Sequence, residues 1–189
     1  LDPKPGHRVF GLSMVLGGER TVFIADTSVH ELPAPEELAD IAVQSAAHAR
    51  AMGHEPRVAL LAFSNFGNPM REKARRIREA VACLDAMTVD FEYEGEMQAS
   101  VALDDALMRE LYPFSRLSGP ANVLIMPALH SANISAKLLE KVGGNTVIGP
   151  LTLGLEKPAQ IVPMGATMND IVTAAALAAY DAIPAGGGA

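Results

Sequence analysis

Arg57-Val58-Ala59-Leu60-Leu61-Ala62-Phe63, running straight into Ser64-Asn65-Phe66-Gly67-Asn68-Pro69, is the stretch on which the fold turns. After Arg57 every residue up to Phe63 is apolar, so the run has no polar face. A strand of that kind is covered on both sides, as parallel strands are. The small polar residues that follow, closed by Pro69, read as a loop. A helix is then predicted over 70–84, where Met70, Ala74, Ile77, Val81 and Leu84 recur at helical spacing with charges between them.

The same alternation extends in both directions. Upstream, 8–16 and 21–25 are β-rich runs on either side of Gly17-Gly18 and predict a hairpin. Pro35 suits a first helical turn, Leu38, Ile41, Ala42, Ala46 and Ala49 share one face, and Gly53 supplies a stop, giving a helix over 36–52. Downstream, 89–93 alternates as a half-exposed strand and 101–111 reads as a short helix. Residues 122–126 form a second buried strand ended by Pro127, and 133–142 a helix stopped by Gly143-Gly144. Short strands at 146–148 and 160–162 and a helix over 169–181 follow. Strands separated by helices require crossovers, hence an α/β protein with a mostly parallel sheet, helices on both faces and one antiparallel hairpin.

Composition narrows the function classes. The chain has 189 residues, 49% of them hydrophobic, enough to bury a core without staples. It carries 15 Lys and Arg against 22 Asp and Glu, a net charge of −7, which counts against nucleic acid as the main partner. No apolar run approaches the ~18–20 residues of a membrane span. A single cysteine, Cys83, forms no intrachain disulfide and favours an intracellular setting. The start at Leu1 without Met and the Gly186-Gly187-Gly188-Ala189 end lead us to expect a piece of something longer.

Motifs for dinucleotides, P-loops, nucleophile elbows and zinc helices are absent, and the five histidines do not repeat at ligand spacing, so no metal site is expected. Cys83 reads as a small apolar residue. The basic cluster Arg71, Lys73, Arg75, Arg76 and Arg78 is either a solvated helix face or a phosphate contact by one or two of its members. Ser64, Asn65 and Gly67 lie after a buried strand and before a helix, where open parallel sheets bind ligands and backbone N–H groups suit an anion. Ordinary turn chemistry accounts for the same residues equally well. Ser131 and Asn133 are expected to open another helix after another buried strand, with Lys137 one turn on, and Gly149-Pro150 and Gly154 read as turns. Together these loops suit an extended anionic ligand; no reaction follows from the pattern.

Several strings resemble the phosphate acetyltransferase (phosphotransacetylase) family. They include Phe23-Ile24-Ala25-Asp26-Thr27-Ser28-Val29, the Arg57 to Gly67 stretch, Gly95-Glu96-Met97-Gln98, Ser131-Ala132-Asn133-Ile134-Ser135-Ala136-Lys137 and Ile148-Gly149-Pro150-Leu151-Thr152-Leu153-Gly154. Their order and spacing match over about residues 8–182. Ala25-Asp26-Thr27 and Phe63-Ser64-Asn65-Phe66-Gly67 look more like one branch, the C-terminal phosphotransacetylase-like domain of bacterial NADP-dependent malic enzymes. The resemblance implies a three-layer α/β/α fold of the isocitrate/isopropylmalate dehydrogenase-like kind, in two lobes around an acyl-CoA cleft. Residues 1–162 would be the second lobe, 163–183 a helix crossing back to a first lobe, and 184–189 a flexible tail.

Active members carry Ser-Arg-Gly near the C-terminus; here the string is Pro163-Met164-Gly165. The Asp that acts as base on the CoA thiol is retained as Asp170, and Ser100 stands where an Asp is usual. Acyl transfer to phosphate needs donors at the developing oxyanion, and an apolar Met supplies none. The resemblance thus implies an acetyl-CoA-binding regulatory and oligomerisation domain of a cytoplasmic malic enzyme. NADP and a divalent metal would belong to upstream malic-enzyme domains, and the partners would be acyl-CoA, those domains and further copies of the chain. Ser64, Asn65, Gly67, Asn133, Lys137, Gly149, Pro150, Gly165 and Asp170 would bind the coenzyme. An active phosphate acetyltransferase and a purely structural oligomerisation lobe are the alternatives.

Overall fold

The residues flanking Gly17-Gly18 form the expected hairpin. β1 (Phe10–Gly17) and β2 (Arg20–Ala25) pair antiparallel, with Leu12 opposite Ala25 and Val15 opposite Val22. The computed structural model describes residues 1–18 and 20–183; the expected tail at 184–189 lies outside the described residues. After the hairpin come α1 (Pro35–Ala51), β3 (Arg57–Leu61), α2 (Glu72–Asp85), β4 (Glu92–Met97), α3 (Ala99–Ala102) and α4 (Asp105–Leu111). β5 (Val123–Ile125), α5 (Leu129–Lys141), β6 (Thr146–Leu153) and α6 (Met168–Asp181) complete the chain.

The strands form one sheet in the order β4-β3-β5-β2-β1-β6. Only the ladders made by β1 are antiparallel, so the other five strands run one way. Side chains alternate between two cores with the period of two that pleating imposes. Phe23, Val58, Leu60, Val123 and Ile125 face a core shared with Leu38, Ile41 and Ala42 of α1 and Ile77 and Leu84 of α2. Ile24, Ala59, Leu61 and Leu124 face a second core with Val101 of α3, Met108 of α4 and Ala132 of α5. Helices therefore cover both faces, in three layers.

Five local expectations need correction. Residues 101–111 are two helices, because Asp104 adopts an extended backbone and its side chain accepts from Leu107 N at 3.0 Å, capping α4. α5 starts at Leu129, four residues earlier than expected, directly after Pro127-Ala128. β4 lies at 92–97 rather than 89–93, and Gly95 lets it approach β3 so closely that a Cβ there would sit 2.8 Å from the Leu60 carbonyl oxygen. Gly149-Pro150 is no turn: both residues lie inside β6, where the ladder to β1 shifts register. Gly149 has φ +120°, and Pro at a bulge on an edge strand removes no needed donor. The expected strand at 160–162 does not form; the Gln160 side chain instead accepts from Thr152 N at 2.8 Å on the β6 edge.

α6 is loosely attached. None of its residues is buried. Leu177 packs on the first core, Tyr180 Oη donates to Ala51 O at 2.6 Å, and Asp181 lies 3.8 Å from the His48 imidazole.

Candidate functional site

Because β2, β3, β4 and β5 are parallel, Ala25, Leu61, Met97 and Ile125 all end at the same edge of the sheet. The segments leaving those ends form the crevice in which ligands of open α/β sheets sit. Two buried carboxylates organise it.

Glu96 at the end of β4 is fully buried. Ser64 Oγ donates to its Oε1, Gly67 N–H reaches the same oxygen at 3.3 Å, and Arg78 Nη1 donates to Oε2 at 2.8 Å. Asn65 Oδ1 accepts from Gln98 N at 2.8 Å, and Phe66 N donates to Glu96 O at 2.8 Å. Phe66 (φ +49°) and Gly67 (φ +83°) are both left-handed, a backbone that favours glycine at the second position. The structure thus brings Ser64, Asn65 and Gly67 together, but both polar side chains point inward to protein partners.

Asp26 at the end of β2 is the second centre. Its Oδ1 accepts from Gly11 N (2.9 Å), Ser28 N (2.9 Å) and Val29 N (3.0 Å), and its Oδ2 from His30 N and pairs with His30 Nδ1, both at 2.7 Å. The adjacent Thr27 carbonyl accepts from Asn133 Nδ2 at 3.1 Å. Thr27, Ser28, His130, Asn133 and Pro150 line a cavity of about 330 Å³. Asn133 of α5 and Pro150 of β6 therefore border the same cavity, with Gly149 next to Pro150 in the bulge.

Lys137 is exposed on α5, its Nζ 4.0 Å from Glu140. The Glu140 carboxyl lies below its ordinary range chiefly through its bond to Lys141; Lys137 adds to this, and Asp170 pushes the other way. Lys137 and Asp170 thus act on a common neighbour. Asp170 is part of the α6 capping box: Oδ2 accepts from Thr167 N and from Thr167 Oγ1, each at 2.8 Å. Those bonds hold its carboxyl below the usual carboxylate range, which makes it a weaker base. Gly165 has no atom within 4 Å of a would-be Cβ, and Met164 is fully exposed. Among the described residues no group of three His, Cys, Asp or Glu side chains could hold a metal, and no helix is long and apolar enough to cross a membrane.

Reading the sequence assigned no role to Asp26 or Glu96, although both fall in strings quoted above. The available signal was an acid set directly behind apolar strand residues; for Asp26, the small residues after it offer their N–H groups to such a side chain.

Three layers around a mostly parallel sheet, with polar loops gathered at its carboxyl edge, define an α/β domain of the phosphotransacetylase-like class. The chain matches the family described as phosphate acetyl/butaryl transferase over residues 1–179 and belongs to it. It is 58% identical over 182 residues to an NADP-dependent malic enzyme of Rhizobium meliloti (strain 1021), covering 96% of this chain and 24% of that protein. It is 40% identical over 159 residues to a phosphate acetyltransferase of Paracoccus denitrificans, covering 84% and 50% respectively. A phosphotransacetylase from Streptococcus pyogenes superposes with a TM-score of 0.91 at 30% identity, over 96% of this chain and 56% of that one. The chain therefore spans about a quarter of that malic enzyme and about half of the two phosphotransacetylases.

Proposed function

We propose that the chain is an acetyl-CoA-binding regulatory and oligomer-forming domain of a cytoplasmic NADP-dependent malic enzyme, whose oxidative decarboxylation of malate to pyruvate takes place elsewhere in the protein. The observation that carries this reading is the Pro163-Met164 pair. By the resemblance it occupies the place of the Ser and Arg of active members, and it offers neither a hydroxyl nor a cation to a developing oxyanion. The similarity to malic enzymes supports the setting. On this reading the coenzyme's phosphates meet the backbone of the Ser64–Asn65–Gly67 turn and the Lys137 ammonium. Asn133, Gly149 and Pro150 form the wall between them, and Gly165 and Asp170 face the thiol end. NADP and a divalent metal are assigned to upstream domains and to no residue of this chain.

The same reading makes residues 1–162 the second lobe and 163–183 the return to the first. Ile161, Met164, Met168, Ile171, Val172 and Ile183 are all exposed, and burying such side chains against a first lobe would contribute about 1.5–3 kcal/mol each. Asp170, at the family's base position, favours a second reading, an active phosphate acetyltransferase.

The test is a thermal shift of the intact protein with acetyl-CoA, which at a hundred times its Kd should stabilise by about 2.7 kcal/mol. Lys137→Glu should weaken that response by more than about tenfold, since it reverses a charge on a phosphate. No shift at saturating acetyl-CoA would leave only a structural lobe, and CoA release from acetyl-CoA and phosphate would establish the acyltransferase.

A further inference from the structure

The structure sorts the basic residues of α2. Arg75 is matched by Glu72 and Glu79, and Arg78 by Glu96. Lys73 and Arg76 have no carboxylate partner among the described residues. Arg76 Nη2 donates to Pro127 O at 2.8 Å, while its Nε is buried and bonded to nothing. Both residues border a cavity of about 730 Å³ between the first half of α2, the end of β3 and the turn from β5 into α5. Its walls are largely apolar, with Leu32, Phe63, Ile77 and Pro127 among them; His130 and Ser131 add hydrogen-bonding groups, and Arg75 borders it together with both of its partners, Glu72 and Glu79. Leu32 is 66% and Phe63 53% exposed, so the apolar wall is open to an incoming group.

We infer that this cavity binds a nucleoside phosphate. A phosphate offers three acceptor oxygens and so meets the Lys73 ammonium and the Arg76 guanidinium together, the two cations of this wall that no carboxylate matches. A flat heteroaromatic ring fits the Phe63 face and the Leu32 and Pro127 walls. The volume lies within the range of about 300–1,000 Å³ usual for small-molecule sites. The nucleotide is either free or the nucleotide end of an acyl-CoA; only the second source rests on the acetyl-CoA reading.

Calorimetric titration of the intact protein with adenosine 5′-monophosphate tests the inference, with adenosine and ribose 5-phosphate as fragments lacking head or base. The monophosphate should saturate one site per chain, and each fragment should bind at least about tenfold more weakly. Lys73→Glu, on an exposed side chain that leaves the fold intact, should cost about tenfold or more in affinity. Arg76→Lys should cost less, and Lys141→Ala, at the far end of α5, should cost nothing. Displacement by acetyl-CoA assigns the site to the coenzyme; simultaneous binding assigns it to a free nucleotide. Absence of saturation by the monophosphate, or unchanged affinity in Lys73→Glu, overturns the inference. An acetyl-CoA thermal shift that persists beside either result shows that the regulatory reading survives on its own.

Discussion

Replacing Asp26 by alanine removes the acceptor of four backbone N–H groups and the partner of one imidazole nitrogen in a single step. The donors are not equivalent. Ser28 and Val29 are exposed, so their N–H groups can turn to water. Gly11 is buried in the middle of the sheet and its N–H cannot, which costs about 1–3 kcal/mol. Loss of the charge-assisted bonds to half-buried His30 adds about 1.5–3 kcal/mol. Together the cost is on the order of 3–5 kcal/mol, or roughly a 10 °C fall in Tm for a domain of this size. Asp26→Asn should be milder. An amide oxygen in the Oδ1 position keeps Gly11, Ser28 and Val29, and a changed His30 tautomer accepts from the new NH2, leaving only the His30 backbone N–H stranded. The expected order of Tm, measured by calorimetry, is therefore wild type, Asn, then Ala. An alanine variant that melts with the wild type, or an Asn variant as unstable as Ala, would refute the view that this carboxylate organises the loop.

Glu96→Ala strands the Arg78 charge and the Ser64 hydroxyl, and denaturant unfolding should show a loss of about 3–5 kcal/mol; Arg78→Met in the same background should recover part of it. The α6 attachment should depend on pH. Burial pushes the His48 imidazole below its ordinary 6.5 despite Asp181, and pushes the Asp181 carboxyl up. A depressed imidazole leaves the contact at full strength above pH 6.5 and weakens it as pH falls below that value, while Asp181 acts with the opposite sign at lower pH. Corrected for the intrinsic rate, which itself slows on acidification, protection of the α6 amides should fall between about pH 7.5 and about pH 5.5, and His48→Asn should flatten the change.

The layers were legible because the sheet is written in local patterns. The apolar run from Val58 implies a strand with neighbours on both sides, and β3 indeed lies between β4 and β5, although it ends at Leu61 and Phe63 beyond it is exposed. Asp104 inside an apolar helical pattern and Gly149-Pro150 inside a strand were misread because cap and bulge depend on what lies opposite, Leu107 N in one case and β1 in the other. The site was legible by position and not by function. Ser64 and Asn65 are at the expected loop, yet Ser64 answers to Glu96, 32 residues on, through the register of β4 against β3. The same holds for α2: Lys73 and Arg75 look alike in sequence, and only the neighbouring Glu72 and Glu79 decide which charge is left over.

Fold and chemistry are physically separable in this domain, and that carries the last prediction. The groups that fix the crevice, Asp26 and Glu96, are buried and bonded many times over, so the loops keep their shape whatever reaction they serve. The residues on which acyl transfer would depend lie elsewhere. Met164 is fully exposed, Pro163 is exposed, and Gly165 touches nothing. Pro163→Ser with Met164→Arg should therefore leave stability within about 0.5 kcal/mol, as surface substitutions do. On the proposed reading the pair would return a hydroxyl and a planar cation to the segment that ends at Asp170, and the intact protein should gain measurable acetyl transfer from acetyl-CoA to phosphate. The single Met164→Arg variant keeps Pro163 and its φ near −65°, supplies the cation but no hydroxyl, and should remain inactive. A stable double variant that binds acetyl-CoA and transfers nothing would locate the loss of chemistry beyond this string, at Ser100 or outside the chain. Transfer by the unmodified protein would overturn the regulatory reading itself.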